Sequence, residues 1–411
     1  MSILLSFCVF AVMMLLIPAD LTPILKHNYV QIFAITLLVP MSASFVLIPL
    51  NVVTPDSFTS DPSISLREST TRIINILLNF SIFSLIVIHG VDKYGKSYGR
   101  AILIIYYLAL ILLMVGGVWQ IASKLFGIPF PEMDLRTNFH GVDSEVKENY
   151  GFRITSFLAE PSYFAPYIID FILIGLILLK SWFVRAVVTL VSALILASTF
   201  SMSGILNISI LGLVLAVAYI HKKRITYLSD LYPALGLTIL LTTLGILLWQ
   251  HIDYLMPYYE RFNAFVVTGD DKRFYIIGRA YDTLINALPH VVMFGYGPGS
   301  FTFFKYLADP MEGTSNNLYV DIMLEYGFFG LLMILVMFSY LIFKAYRMVG
   351  KQFENIFGFL FIVHLAVTSM YRADYASPRF WIVLIIIYAL IKYGDLSAGE
   401  KAKSGYKGGF A

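Results

Sequence analysis

Residues 162–220 read SYFAPYIIDFILIGLILLKSWFVRAVVTLVSALILASTFSMSGILNISILGLVLAVAYI, and along them only Asp170, Lys180 and Arg185 are charged. Crossing about 30 Å of hydrocarbon as a helix takes roughly 20 apolar residues. The stretch therefore holds three candidate spans, near 162–179, 186–200 and 205–220, parted by Lys180 and Arg185 and by the turn STFSMSG. Similar runs recur near 3–19, 30–50, 73–90, 101–121, 232–250, 317–343, 356–371 and 380–393. The 411 residues are 58% hydrophobic and 13% charged, whereas soluble domains carry about 25% charged residues. The short alternating segments of a membrane β-barrel are absent. The expected fold is all-α, a polytopic integral membrane protein of about 11 transmembrane helices forming one multi-pass domain over residues 1–393.

A single cysteine, Cys8, excludes an internal disulfide framework and a cysteine metal site. The first apolar run has no basic start and no small-residue cleavage pattern before Asp20, so it reads as a retained helix rather than a signal peptide. Alternation of the spans puts Lys93, Lys96, Arg100, Lys222, Lys223, Arg224, Lys344, Arg347 and Lys351 on the same side as the lysine-bearing tail 394–411. The positive-inside rule then makes that side cytoplasmic. Two large loops, 122–161 and 251–316, fall outside. Loops of that length are usually functional, and the second is rich in aromatic and aliphatic residues suited to interfacial helices. The tail reads as disordered.

Four motifs carry the candidate chemistry. In YGFRITSFLAEPSYFAPY, Arg153 precedes Glu160 by seven residues, two helical turns, so the two share a face if the segment is helical to Pro161. Glu160 and Pro161 also fit an ordinary helix start. Asp170, deeper on the same run, reads as a buried, partnered polar group. STFSMSG brings Ser201, Ser203 and Gly204 into a tight turn. In GDDKRFYIIGRAYDTLINALPHVVMFGYGPGSF, Arg273 and Arg279 could line one cavity if the chain bends at Gly278, and Arg suits a phosphate clamp. They could equally snorkel. Asp270 and Asp271 read as a turn, and Gly295, Gly297 and Gly299 as a flexible loop able to approach an anion. In TSNNLYVDIMLEYGFFG, Asp321 and Glu325 share a helix face below Asn316 and Asn317. Arg372 and Arg379 read as interfacial anchors, and the histidines show no metal spacing.

Taken in order, the loop ending R…EP, the Ser/Gly turn, and the second loop running into GYGPGSF and NNLY…EYGFFG resemble the O-antigen polymerase and ligase superfamily over roughly residues 150–335. These are bacterial glycosyltransferases of lipid-linked glycans, and the resemblance implies a GT-C-like membrane fold in the cell inner membrane, with chemistry on the periplasmic face. Ligases of the family typically carry a histidine where Asn316 stands, so the chain looks more like a Wzy-type repeat-unit polymerase for O-antigen or exopolysaccharide. Met202 replaces an arginine common in the family's turn.

The resemblance implies transfer of a growing glycan from undecaprenyl diphosphate to the terminal sugar hydroxyl of an incoming undecaprenyl-diphosphate-linked repeat. No metal, nucleotide or other cofactor is then needed. Arg153, Arg273 and Arg279 would bind the substrate diphosphate. Glu160 would be the general base, with Glu325 as the other candidate, and Gly295, Gly297, Gly299, Asn316 and Asn317 would line the substrate. Membrane lipids and a polysaccharide chain-length regulator would be partners, and nucleic acid would not. A ligase and a lipid-linked glycan flippase or other transporter remain the alternatives.

Overall fold

The computed structural model describes residues 27–51, 62–131, 153–158, 160–223, 272–303, 315–349, 356–394 and 396. Among these, every regular element is helical. In chain order they are α1 (Asn28–Phe33), α2 (Val39–Asn51), α3 (Pro62–Leu85), α4 (Lys93–Phe126), α5 (Pro161–Leu178), α6 (Trp182–Ser198), α7 (Met202–Lys223), α8 (Lys272–Ile285), α9 (Pro289–Phe294), α10 (Leu318–Val349), α11 (Ile356–Thr368) and α12 (Pro378–Tyr393). Wider π turns, Ala34–Leu38 and Ile86–Asp92, join α1 to α2 and α3 to α4 without breaking the helical path.

The expectation of about 11 spans is corrected. Four helical stretches among the described residues are long and apolar enough to cross a membrane: Asn28–Val46, Ser69–Phe126, Pro161–Leu178 and Leu318–Val349. They are the make-up of a multi-pass membrane protein. The expected spans 73–90 and 101–121 run together in one stretch of 58 residues, continued through the π turn and kinked at Gly95, whose φ is +74°. α6, α11 and the apolar part of α7 (Met202–Ala218) fall below 18 residues. At 1.5 Å per residue, a 17-residue helix reaches only about 26 Å. α12 is likewise limited to 16 residues, between Pro378 and Gly394. The expected spans 3–19 and 232–250 lie outside the described residues, as do 132–152 and 159 of the first large loop, 251–271 and 304–314 of the second, and most of the tail. The GT-C-like eleven-span arrangement goes with the corrected count.

α5 and α12 form the centre. α12 is buried along nearly its whole length and packs on α3, α4, α10 and α11, while α5 packs on α4, α6, α7 and α11. α4 shows how sequence sets this packing. Gly99, Leu103, Tyr106, Leu110, Met114 and Gly117 recur at helical spacing and face inward. Ile105, Leu108 and Leu112 on the opposite side are exposed and apolar, as a hydrocarbon-facing surface requires. Glycine permits the closest approaches: a Cβ on Gly117 would come within 3.1 Å of the Phe164 ring.

Candidate functional site

The N-terminal end of α5 gathers one set of polar groups. Pro161 takes the first helical position, where an N–H would have no intrahelical partner, and Glu160 caps the helix in extended backbone. The Glu160 carbonyl accepts from Tyr163 N at 3.0 Å and Phe164 N at 3.3 Å. Its half-buried carboxylate takes one bond among the described residues, from Ser162 Oγ to Oε2 at 2.8 Å. The positive end of the helix favours a charge there. Tyr163 Oη donates to Asn316 Oδ1 at 3.3 Å. The same tyrosine carries the Arg372 guanidinium 4.2 Å above its ring and accepts from Arg372 Nη1 at its carbonyl, at 3.0 Å. Asp374 holds Arg372 from the other side, at 2.8 Å from Nε and 2.7 Å from Nη2. Two carboxylates, two hydroxyls, an amide and a guanidinium thus share this rim, the second carboxylate, Asp374, being paired with the guanidinium.

Arg153 is not brought to Glu160 by a common helix face, because Arg153–Leu158 is not helical. Gln120 Oε1 on α4 accepts from the amides of Thr155 and Ser156, at 2.9 and 2.8 Å, and Ser156 adopts φ +54°. On the other side Ile154 N bonds Ser198 O at 3.1 Å and Arg153 Nε bonds Thr199 O at 3.2 Å. The first two motifs therefore meet: the R…EP approach is fastened to the α6–α7 turn, where Ser201 and Ser203 hydroxyls lie 3.2 Å apart. Gly204 is required there, since a Cβ would approach that of Ala165 on α5 to 2.6 Å.

Arg279 stands exposed on α8, its guanidinium 4.8 Å over the Tyr275 ring. α8 runs unbroken through Gly278, so the bend that would converge Arg273 and Arg279 does not occur, and six residues of helix turn them to different sides. The Arg273 side chain, Asp270 and Asp271 lie outside the described residues.

The glycine loop and the fourth motif are docked backbone to backbone. Tyr296 N donates to Leu324 O and Gly297 N to Glu325 O, both at 3.0 Å. Gly295 (φ +79°) and Gly327 (φ +68°) sit where the two strands of chain cross. A Cβ on the first would lie 2.3 Å from the Glu325 carbonyl, and one on the second 2.3 Å from that of Met293. Gly327 also kinks α10, setting off its first part, Leu318–Tyr326, which is buried except at the half-buried Tyr319. Gly295, Gly297 and Gly299 are all buried, and the first two direct their amides to protein carbonyls. Asn317 caps α10, its Oδ1 accepting from Tyr319 N at 3.0 Å and Val320 N at 3.3 Å. Asp321 accepts from the Ser315 amide at 2.8 Å.

Glu325 has no exposed surface, and both its carboxylate oxygens are engaged. Arg72 Nη2 on α3 bonds Oε1 at 3.1 Å and the Tyr375 hydroxyl donates to Oε2. The Ser44 hydroxyl of α2 donates to its carbonyl at 2.6 Å. Burial holds the Tyr375 phenol well above its usual pKa, so it stays a donor. Glu160 is thus the more available of the two candidate bases. A second buried network joins Asp170, His364 and Arg379. Arg379, 3% exposed, is not the interfacial anchor its position beside Trp381 suggests, but bonds Asp170 Oδ2 at 2.9 Å.

Arg72, Ser44, Tyr375 and His364 were not among the candidate site residues read from sequence. One signal was available, an arginine placed at the start of an apolar run, which needs a carboxylate partner. No family model matches the chain, and no curated protein matches it in sequence.

Proposed function

We propose that the chain is a lipid-linked glycan polymerase of the bacterial cytoplasmic membrane, acting on its external face with the basic tail inside. The observation that carries the reading is the rim at the start of α5. There a half-buried Glu160, bonded by Ser162 alone among the described residues, shares a helix end with Tyr163, Asn316 and Arg372. At the other end of α12, Lys392 meets Asp92 beside Lys93, a basic end opposite the rim that supports this orientation.

In the reaction, the acceptor sugar hydroxyl attacks the anomeric carbon of the donor glycan. The bond from that carbon to the diphosphate oxygen breaks, and the hydroxyl proton passes to Glu160. Charge grows on the departing undecaprenyl diphosphate, where Arg153 and one of the two α8 arginines, which face different sides, stabilise it, each by about 3 kcal/mol by analogy with other preorganised donors. An apolar groove of about 680 Å³ between the first span and Phe294, one residue before the glycine loop, suits an isoprenoid chain. Metal and nucleotide have no part, since the donor arrives already activated. Asn316 in place of the ligases' histidine favours polymerase over ligase.

The test is purified protein reconstituted with two lipid-linked repeats. Longer glycans are expected, and their loss in Glu160→Gln at unchanged folding. Transfer to a lipid A core instead would identify a ligase, and full activity of Glu160→Gln would remove it as the base. The buried Asp170, His364 and Arg379 favour a second reading, transport of lipid-linked glycans, because ionisable groups inside a membrane mark conduction paths. Translocation without elongation in the same vesicles would establish it.

A further inference from the structure

Between α4, α5, α7, α11 and α12 lies a network that the glycan chemistry leaves unused. Asp170 and His364 have no exposed surface and Arg379 has 3%. Asp170 Oδ2 accepts from Arg379 Nε at 2.9 Å and from Tyr106 Oη at 2.8 Å. His364 Nε2 lies 2.9 Å from Arg379 Nη2 and 3.1 Å from Asp170 Oδ1. One ring nitrogen cannot serve both. A guanidinium only donates, so facing it Nε2 must be a bare acceptor. An ionised carboxylate only accepts, so facing it Nε2 must carry a proton.

The other ring nitrogen decides which arrangement holds. Nδ1 lies 3.3 Å from Asn207 Oδ1 and 3.4 Å from Thr368 Oγ1, and the nearer of the two is a group that can only accept. The Asn207 amide nitrogen already donates to Thr368 Oγ1 at 3.1 Å and to Tyr371 Oη at 3.0 Å, which leaves Oδ1 to accept from Nδ1–H. The ring is then neutral, and Nε2 accepts from Arg379. In that state three buried polar atoms have no hydrogen bond among the described residues: Asp170 Oδ1, Arg379 Nη1 and Asp374 Oδ2. The last two stand 3.5 Å apart. Leaving a buried polar atom unpaired is unfavourable, and three around one imidazole have a common remedy. A proton on Nε2 would donate to Asp170 Oδ1 and displace Arg379 Nη2. The guanidinium, still held through Nε, would turn Nη1 onto Asp374 Oδ2.

The geometry points to His364 as a proton-binding site that switches the bundle between two hydrogen-bond states, with Arg379 as the part that moves. The charged and titratable groups around it are Tyr106 on α4, Asp170 and Tyr167 on α5, Arg379 on α12, and Tyr371, Arg372 and Asp374 on the connection from α11 to α12. The carboxylates and guanidiniums number two each, so the charges around the ring balance, and burial is what opposes the added proton, holding the His364 pKa below its usual value. The switch reaches the rim, because Asp374 also anchors Arg372, which stacks on Tyr163. Nothing in it rests on the glycan reading.

Nitrogen NMR of the full chain in lipid nanodiscs, labelled at histidine and arginine, tests it. His364 is assigned among the seven histidines by the signal missing in His364→Gln, or shifted in Thr368→Ser if that variant does not fold. At about pH 8 the ring should be the neutral Nδ1–H tautomer. Acidification to about pH 5 should convert it to imidazolium, and the Arg379 resonances should shift in step. Asp374→Asn should leave the ring titration and remove the Arg379 response. An Nε2–H tautomer at the higher pH, a ring that stays neutral throughout, or Arg379 signals that ignore the ring would each overturn the proposal.

Discussion

Replacing Arg72 by methionine should leave Glu325, with no exposed surface, holding a charge met among the described side chains by the phenols of Tyr375 and Tyr326. Removing one partner of a buried pair costs about 3–5 kcal/mol, because the other charge stays desolvated. The Arg72 side chain is 17% exposed, so water reaches its end of the pair, and the lower figure applies. A loss of about 3 kcal/mol is roughly a hundredfold in the folding equilibrium. Taking out both charges is far milder, since a well-packed neutral pair often equals a buried ionic one. Arg72→Met with Glu325→Gln should therefore recover to within about 1 kcal/mol of the parent, Gln still bonding Tyr375. Reversible unfolding in mixed micelles, followed by circular dichroism as SDS is titrated, gives the four corners of the cycle. If Arg72→Met lost less than about 1 kcal/mol, or the double variant lost the sum of the two singles, the pairing described here would not be what holds Glu325.

Gly295→Ala and Gly327→Ala each force a Cβ to 2.3 Å from backbone at positive φ, and should lower the thermal midpoint sharply, whereas Gly278→Ala, with nothing within 4 Å, should raise it slightly through better helix propensity. Equal shifts at the three sites would refute the docking of the two glycine segments. Tyr375 keeps its proton in the fold at pH values where the unfolded chain loses it, near 10. Its stabilising contribution is full below that pH and declines above it, so absorbance titration should show its phenolate appearing only with unfolding, and Tyr375→Phe should flatten stability against pH above 10. A Tyr375 phenolate formed in the folded state near pH 10 would contradict its burial.

Where the relevant physics is local, the sequence is transparent. Glu160-Pro161 before an apolar run marks the start of α5, and the inward stripe of α4 follows from spacing. Hydropathy overcounts spans because it registers composition and not where helical hydrogen bonding stops or continues. Gly90, Lys93, Gly95 and Lys96 look like a loop between two spans, yet a π turn carries the helix through Gly90 to Asp92 and the chain only kinks at Gly95 before helix resumes. Ile356–Thr368, by contrast, ends after 13 residues although the apolar run goes further. Site residues were legible as motifs and illegible as contacts. Arg379, two residues before Trp381, looks interfacial only while Asp170, 209 positions earlier, is not beside it. Glu325 looks available until Arg72 arrives from 253 positions away. Arg153 seemed tied to Glu160 by helical period, and the α6–α7 turn holds it instead.

The crossing of Gly295 and Gly327 has an evolutionary corollary. Where two side chains meet, a larger residue on one side can be matched by a smaller one on the other, and the pair drifts together through the alphabet. Here each glycine abuts the other segment's main chain, and a main chain has nothing to shrink. Compensation is closed off, so the positions are fixed while the apolar surroundings wander among Leu, Ile, Val and Phe at little cost. A lineage of such chains would lose overall likeness quickly and retain a pair of glycines about thirty residues apart, and a search built on that spacing would recognise members that whole-chain similarity misses.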